Sequence, residues 1–259
     1  MILIPGYNPG QLTLQGTNTY LMGTGQKRIL IDAGEGKEQY KIHLKQILEQ
    51  EQCEISIILI THHHYDHIGG IYQVLELCPN AQVYKNLDHD LQSDKNYPFL
   101  LPLQDGQIFQ VENCIITSIS QPGHCVDHFG FITQNQEWFS GDSLLGGSSC
   151  YIDNVGQYFF SMEKVLKMNI QAIYPGHGYS ITIGAQEAIQ KQYDHRKNRE
   201  QQIYQAANGQ SLDDIIKSIY PDINDEYMKK FVTIAVKAHL TKLINDNLII
   251  FKDNSYFKY

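Results

Sequence analysis

Thr61-His62-His63-His64-Tyr65-Asp66-His67-Ile68-Gly69-Gly70 follows directly on the apolar, β-branched run Ile55-Ser56-Ile57-Ile58-Leu59-Ile60. The run reads as a buried strand, and the stretch after it has the spacing His-x-His-x-Asp-His. On a helix, His62 and His64 would point to opposite sides. In extended chain, positions i and i+2 share a side, so both imidazoles can face one ion as the strand ends. Asp66 and His67 fall where the chain turns toward the amphipathic stretch 71–77, and can face a second ion. Imidazole and carboxylate without thiolate suit a catalytic zinc or a similar divalent metal.

The same format recurs further along. Strand-like runs at 114–119, 138–140 and 172–174 each end in a glycine-bearing loop that presents one ligand-type side chain: His124, Asp142 and His177. Glycine beside each lets backbone come close to a crowded site. Four loops of this kind predict a two-metal site, with His62, His64 and His124 on one ion, Asp66, His67 and His177 on the other, and Asp142 bridging. Asp32 leaves another buried run, Arg28-Ile29-Leu30-Ile31, and is either a partner for a metal-binding histidine or a turn cap. His128 either contacts substrate or supports a ligand from behind. His89, between Asp88 and Asp90, reads as a surface histidine.

With 259 residues, 42% of them hydrophobic, the chain has material for one large domain, or one domain and a small appendage. No run approaches the length of a membrane span, so no membrane partner is expected. The amino terminus lacks the pattern of a secretory signal. Five cysteines (Cys53, Cys78, Cys114, Cys125, Cys150), odd in number and without a Cys-x-x-Cys, point to a reducing, intracellular setting. Cys125 reads as a small residue tucked beside His124. The net charge of −8 is unevenly spread: residues 1–183 hold 9 Lys and Arg against 18 Asp and Glu, and residues 184–259 hold 11 against 10.

Asp32, His62-x-His64-x-Asp66-His67, His124, Asp142 and His177 together resemble the metallo-β-lactamase superfamily. That resemblance implies a four-layer αββα sandwich with two zinc ions, or other divalent metals, at one edge of the sheets. Asn8-Pro9-Gly10, Leu14-Gln15-Gly16-Thr17-Asn18-Thr19-Tyr20-Leu21, Tyr174-Pro175-Gly176-His177-Gly178 and His195-Arg196-x-x-Arg199-Glu200-Gln201-Gln202-Ile203 are similar to the β-lactamase-like protein 2 family within it. Its members are metal-dependent endonucleases of single-stranded RNA, mitochondrial in animals, so the matrix or the cytoplasm is the implied location. Where that family usually has Trp and a basic residue in the metal loop, this chain has His63 and Tyr65. The triple-histidine form resembles glyoxalase II, a thioesterase of the same superfamily.

Helical spacing is expected over 185–206 and 226–245, with a serine-capped helix starting at Ser211 and a hairpin around Lys252-Asp253-Asn254-Ser255. These elements resemble a winged helix. The expected organisation is a catalytic domain over 1–183, followed by a helical linker and a winged-helix-like domain over 184–259. Lys229, Lys230, Lys237 and Lys242 are candidate nucleic-acid contacts there; the alternative is a packing cap or a dimer surface. The expected activity is metal-dependent hydrolysis, in which hydroxide bridging the ions attacks phosphorus or a carbonyl and Asp66 orients the nucleophile. Single-stranded RNA is the leading substrate, a small thioester the alternative, and a non-catalytic subunit retaining the fold the third reading.

Overall fold

Strand β3 (Lys27–Ile31) shows how the layers form: Ile29 and Ile31 join one apolar cluster, while Leu30 between them joins another. Alternation with period two puts successive side chains on opposite faces, so a strand buried on both faces is apolar throughout. The computed structural model describes residues 1–89 and 91–259, and Asp90 lies outside the described residues. Around β3 a six-stranded sheet is built from β1 (Ile2–Pro5), β2 (Asn18–Met22), β4 (Glu54–Leu59), β5 (Gln82–Lys85) and β6 (Leu101–Pro102), in the order 1-2-3-4-5-6. A second sheet has the order 11-10-9-8-7, from β7 (Ile108–Val111), β8 (Cys114–Ser120), β9 (Phe129–Thr133), β10 (Glu137–Gly141) and β11 (Ala172–Pro175).

The sheets pack face to face through Tyr20, Ile29, Ile31 and Leu59 from the first and Phe109, Phe131, Phe139 and Tyr174 from the second. Helices α1 (Glu38–Gln50), α2 (Tyr65–Ile68) and α3 (Ile71–Leu77) lie in the first half of the chain. Tyr40 and Leu44 of α1 and Val74 of α3 cover the outer face of the first sheet against Leu30 and Ile58. On the far side, Tyr158 and Met162 of α4 (Val155–Leu166) and Ile189 of α5 (Ala185–Ala206) cover Ile132, Trp138 and Ile173. This is the expected αββα sandwich.

Helix α4 was not anticipated from the sequence, although Val155, Tyr158, Phe159, Met162 and Val165 recur at helical spacing and the Asn154 side chain caps the helix by accepting from the Gln157 amide. Asp66 and His67, expected where the chain turns toward the amphipathic stretch 71–77, sit instead in the short helix α2, which Gly69-Gly70 separates from α3.

Beyond α5 come α6 (Leu212–Ile219), α7 (Glu226–Asn245) and a hairpin of β12 (Ile249–Lys252) and β13 (Ser255–Lys258). Their buried residues, Ile215, Val236, Leu240 and Ile249 among them, form a separate cluster with Ile203 and Ala207. The expected boundary at 183/184 falls just before α5. That helix serves both sides, since Ala185 and Ile189 belong to the sandwich and Ile203 to the carboxyl-terminal cluster. Of the four candidate contact lysines, Lys242 is committed elsewhere: its ammonium lies 3.2 Å from Glu200 Oε1 and 2.5 Å from Asp246 Oδ2. Lys229, Lys230 and Lys237 are exposed.

Candidate metal centre

Parallel pairing of β3 with β4 brings Asp32 and the 61–67 loop to one edge of the first sheet. In the second sheet β8 and β10 both run antiparallel to β9, and β11 runs parallel to β10. The ends of β8, β10 and β11 therefore emerge together, carrying His124, Asp142 and His177. The Phe129 amide donates to the Thr61 carbonyl at 2.8 Å and joins the two edges. All seven predicted ligand residues meet there in two groups, His62/His64/His124/Asp142 and Asp66/His67/His177, within each of which the donor atoms lie within 4.8 Å of one another.

The far nitrogen of four of the imidazoles is already engaged, which fixes what the near one presents. His67 Nδ1 donates to Asp32 Oδ2 (2.7 Å), and His124 Nδ1 donates to the Tyr151 carbonyl (2.8 Å). His62 Nδ1 donates to Thr61 Oγ1 (2.9 Å), whose own proton goes to Asp32, and His177 Nδ1 faces the Gly16 carbonyl at 3.4 Å. In its neutral form each of these rings thus turns the Nε2 lone pair inward. His62 Nε2 and His124 Nε2 lie 2.9 and 3.0 Å from His64 Nδ1. One Nδ1 proton on His64 can serve only one of these two acceptors well, and a cation between the three nitrogens satisfies all of them.

In the second group, Asp66 Oδ2 lies 3.2 Å from His67 Nε2 and 3.1 Å from His177 Nε2. Asp142 reaches both groups, with Oδ2 3.7 Å from His124 Nε2 and 3.4 Å from His177 Nε2, and Oδ1 3.5 Å from His67 Nε2. Asp142 Oδ1 is buried without a hydrogen-bond donor among the described residues. A buried, unpaired carboxylate oxygen is costly and fits a place for a metal. The crowding explains two glycines. A Cβ on Gly176 would lie 2.4 Å from Asp142 Oδ1, and one on Gly141, at φ +49°, would lie 2.6 Å from His128 Nε2.

Without metal the centre is electrically divided. Burial opposes charge on His67 and His177, but the neighbouring carboxylates outweigh it, raising His67 well above its ordinary value and His177 to about 9. Burial and neighbouring imidazoles push His64 down to about 4, and burial and His124 push His128 down to about 3. As pH falls from 6.5 toward 4, the unfolded chain gains protons that His64 and His128 refuse, so folding weakens. As pH rises from 6.5 toward 9, the folded chain loses the protons that stabilise His177, so folding weakens again. Urea midpoints of the metal-free protein are expected to peak near pH 6.5; a midpoint rising steadily from pH 6 to 9 would contradict this arrangement.

Asp32 is the histidine partner, donating nothing and accepting from His67 and from the Thr61 amide (2.8 Å). His128 is fully buried behind Asp142, where its Nε2 accepts from the Asp142 amide at 3.0 Å. Cys125 is buried, and its thiol is pushed up by burial and Asp127. His89 is exposed. Three contributors were not anticipated. Thr17 Oγ1 donates to Asp66 Oδ2 (2.9 Å), and the Asn18 amide donates to the Pro175 and Gly178 carbonyls (3.0 and 2.9 Å), tying the 8–18 stretch to the His177 loop. Lys85, wholly buried, holds Asp127 Oδ2 at 2.7 Å and Asp94 Oδ1 at 2.9 Å, while Asp127 Oδ1 holds His63 Nδ1 at 2.7 Å. A lysine ending a strand reads as a surface residue unless its partners are known.

The family model for the metallo-beta-lactamase superfamily matches residues 12–106. A Beta-lactamase-like protein 2 homolog of Drosophila melanogaster is 36% identical over 262 residues, spanning 94% of this chain and 87% of that one. This chain belongs to the metallo-beta-lactamase superfamily. An atrochrysone carboxyl ACP thioesterase of Aspergillus fumigatus is 30% identical over 267 residues, spanning 97% of this chain and 83% of that one. A metallo-beta-lactamase family protein from Thermus thermophilus superposes with a TM-score of 0.77 at 19% identity, covering 100% of this chain and 98% of that one, a likeness of fold. Among the described residues no helix is long and apolar enough to cross a membrane.

Proposed function

We propose that this chain is a dinuclear-metal hydrolase of acyl thioesters. In this reading His62, His64 and His124 hold one zinc or similar divalent ion, Asp66, His67 and His177 hold the other, and Asp142 binds both. The observation that carries the substrate class is the composition of the surrounding loops. Segments 7–17, 61–70, 121–128, 141–154 and 175–184 contain no Lys or Arg. They do expose Tyr65 (65% accessible) and Tyr179 (72%), each next to or two residues from a proposed ligand, with Val126 and Tyr151 beside His124. RNA backbones are gripped through Lys and Arg, and this rim offers aromatic and aliphatic surface instead. An apolar acyl group suits it; a glutathione moiety with its carboxylates suits it less. The thioesterase name of the Aspergillus relative points the same way.

Two divalent ions, when bound, polarise a carbonyl oxygen and make a water-derived nucleophile available near neutral pH. The chain's own residues do the rest. Thr17 holds the Asp66 carboxylate in one orientation, so that Asp66 can align the attacking water and accept its proton. Tyr65, Tyr151 and Tyr179 flank the acyl group and shield the reacting carbonyl from bulk water.

The second reading, an endonuclease of single-stranded RNA, is favoured by the exposed Lys229, Lys230 and Lys237 of α7. In that reading the carboxyl-terminal helices and hairpin form a winged-helix-like docking unit. The two readings separate in one experiment: hydrolysis of an aromatic acyl thioester of N-acetylcysteamine and of a single-stranded RNA, each at low and moderate salt. Thioester turnover that changes little with salt, with weak RNA cleavage, is expected. RNA cleavage falling steeply with salt, and no thioester turnover, would overturn the proposal and establish the second reading.

A further inference from the structure

The stretch His195-Arg196-x-x-Arg199-Glu200 lies on α5, beyond the last proposed ligand His177, and neither functional reading uses it. Its three charged side chains are divided between two tasks. Arg199 lies over the Tyr220 ring at 4.2 Å, and Glu200 faces Lys242 at 3.2 Å and His239 at 3.5 Å. These contacts fasten α5 to the carboxyl-terminal helices. Arg196, 8% exposed, lies one turn earlier on α5, and its Nη2 donates to the Cys150 carbonyl at 2.5 Å.

Cys150 lies in the loop that connects Asp142 to α4, and two routes lead from it to the proposed ligands. The next residue, Tyr151, supplies the carbonyl that accepts from His124 Nδ1 at 2.8 Å. The Cys150 thiol donates to the Ser143 carbonyl at 3.4 Å, which also accepts from Tyr158 Oη at 3.1 Å. Ser143 Oγ lies 3.2 Å from His128 Nδ1, and His128 Nε2 accepts from the Asp142 amide at 3.0 Å. Since Nε2 accepts, Nδ1 carries the proton and donates to Ser143. Every side chain along these routes is buried apart from the partly exposed Tyr151.

We infer that Arg196 is a positioning residue for the metal centre. By fixing the Cys150 carbonyl it sets His124 through Tyr151 and Asp142 through Ser143 and His128. The inference rests on the reading of Asp142 and His124 as ligands. Partners behind metal ligands cost about 10–100-fold in metal affinity when removed, and that range is expected here.

The test uses the full chain loaded with cobalt(II), comparing wild type with Arg196→Met, Arg196→Lys, Arg199→Leu and Cys150→Ala. Wild type is expected to take up two ions per chain. Arg196→Met should lower affinity for at least one ion by about 10–100-fold and alter the visible absorption of the bound cobalt. Arg196→Lys, which keeps one donor, should recover part of both. Arg199→Leu removes an arginine from the same helix, and should lower the urea midpoint while leaving cobalt affinity and spectrum unchanged. Cys150→Ala, a small change that deletes the thiol donor, should shift the spectrum in the direction of Arg196→Met, and carries the test if Arg196→Met does not fold. Wild-type affinity and spectrum in folded Arg196→Met, or in Cys150→Ala if that variant does not fold, would overturn the inference, as would equal losses in Arg199→Leu. A wild-type chain that binds no cobalt would overturn the ligand reading itself, a distinguishable result.

Discussion

Asp142→Ala is expected to lose metal and activity together. Among the described residues Asp142 is the side chain that reaches both donor groups, and one of its oxygens is buried with no donor there. Removing it takes an anionic ligand from each proposed ion at once, a larger loss than the about 10–100-fold in affinity that follows deletion of a supporting partner. Metal content per chain should fall from two to one or none, and hydrolysis should fall at least as far. Asp142→Asn, which keeps the shape and removes the charge, should fail in the same way and so exclude a cavity as the cause. Metal analysis of the purified variants is sufficient, and two ions per chain in Asp142→Ala would refute the bridge.

Lys85→Met is expected to destabilise the fold by about 3–5 kcal/mol, the range for breaking a buried ion pair from one side. The ammonium is fully buried and sits between the Asp94 and Asp127 carboxylates. Methionine fills similar space but leaves both acids uncompensated, so each must become protonated or draw in water. Adding Asp127→Asn to Lys85→Met should recover part of the loss by removing one stranded charge, and should also weaken the hold on His63, whose Nδ1 bonds Asp127 Oδ1. Urea unfolding of the single and double variants measures both effects. A loss below about 1 kcal/mol would place this pair with surface ion pairs of little consequence.

The metal loop was legible because its ligands are close in sequence and follow a strand. The grouping of His124, Asp142 and His177 with it was legible because each follows its own strand beside a glycine. What stayed hidden depends on partners far along the chain. Lys85 meets Asp127 across forty-odd positions, and Arg196 meets Cys150 across a similar distance; neither residue type signals burial. Helix α4 had a readable apolar period and was missed. The expectation of RNA came from the resemblance to the β-lactamase-like protein 2 family, with the carboxyl-terminal lysines in support. Around the centre the loops carry no lysine or arginine, and Lys242 is held by Glu200 and Asp246.

The two sheets are made in succession: the first uses residues 2–102 only, and the second 108–175. During synthesis, then, the six-stranded sheet is complete while its inner face, with Tyr20, Ile29, Ile31 and Leu59, still has nothing to pack against. That face stays sticky until the second half leaves the ribosome, which is the interval in which a nascent chain of this design needs protection from its neighbours. The donor groups span the same seam, since His64 waits sixty residues for His124, and His67 waits 110 for His177. A chain that has not passed His177 could not hold both proposed ions, so their loading would come after the second sheet is made.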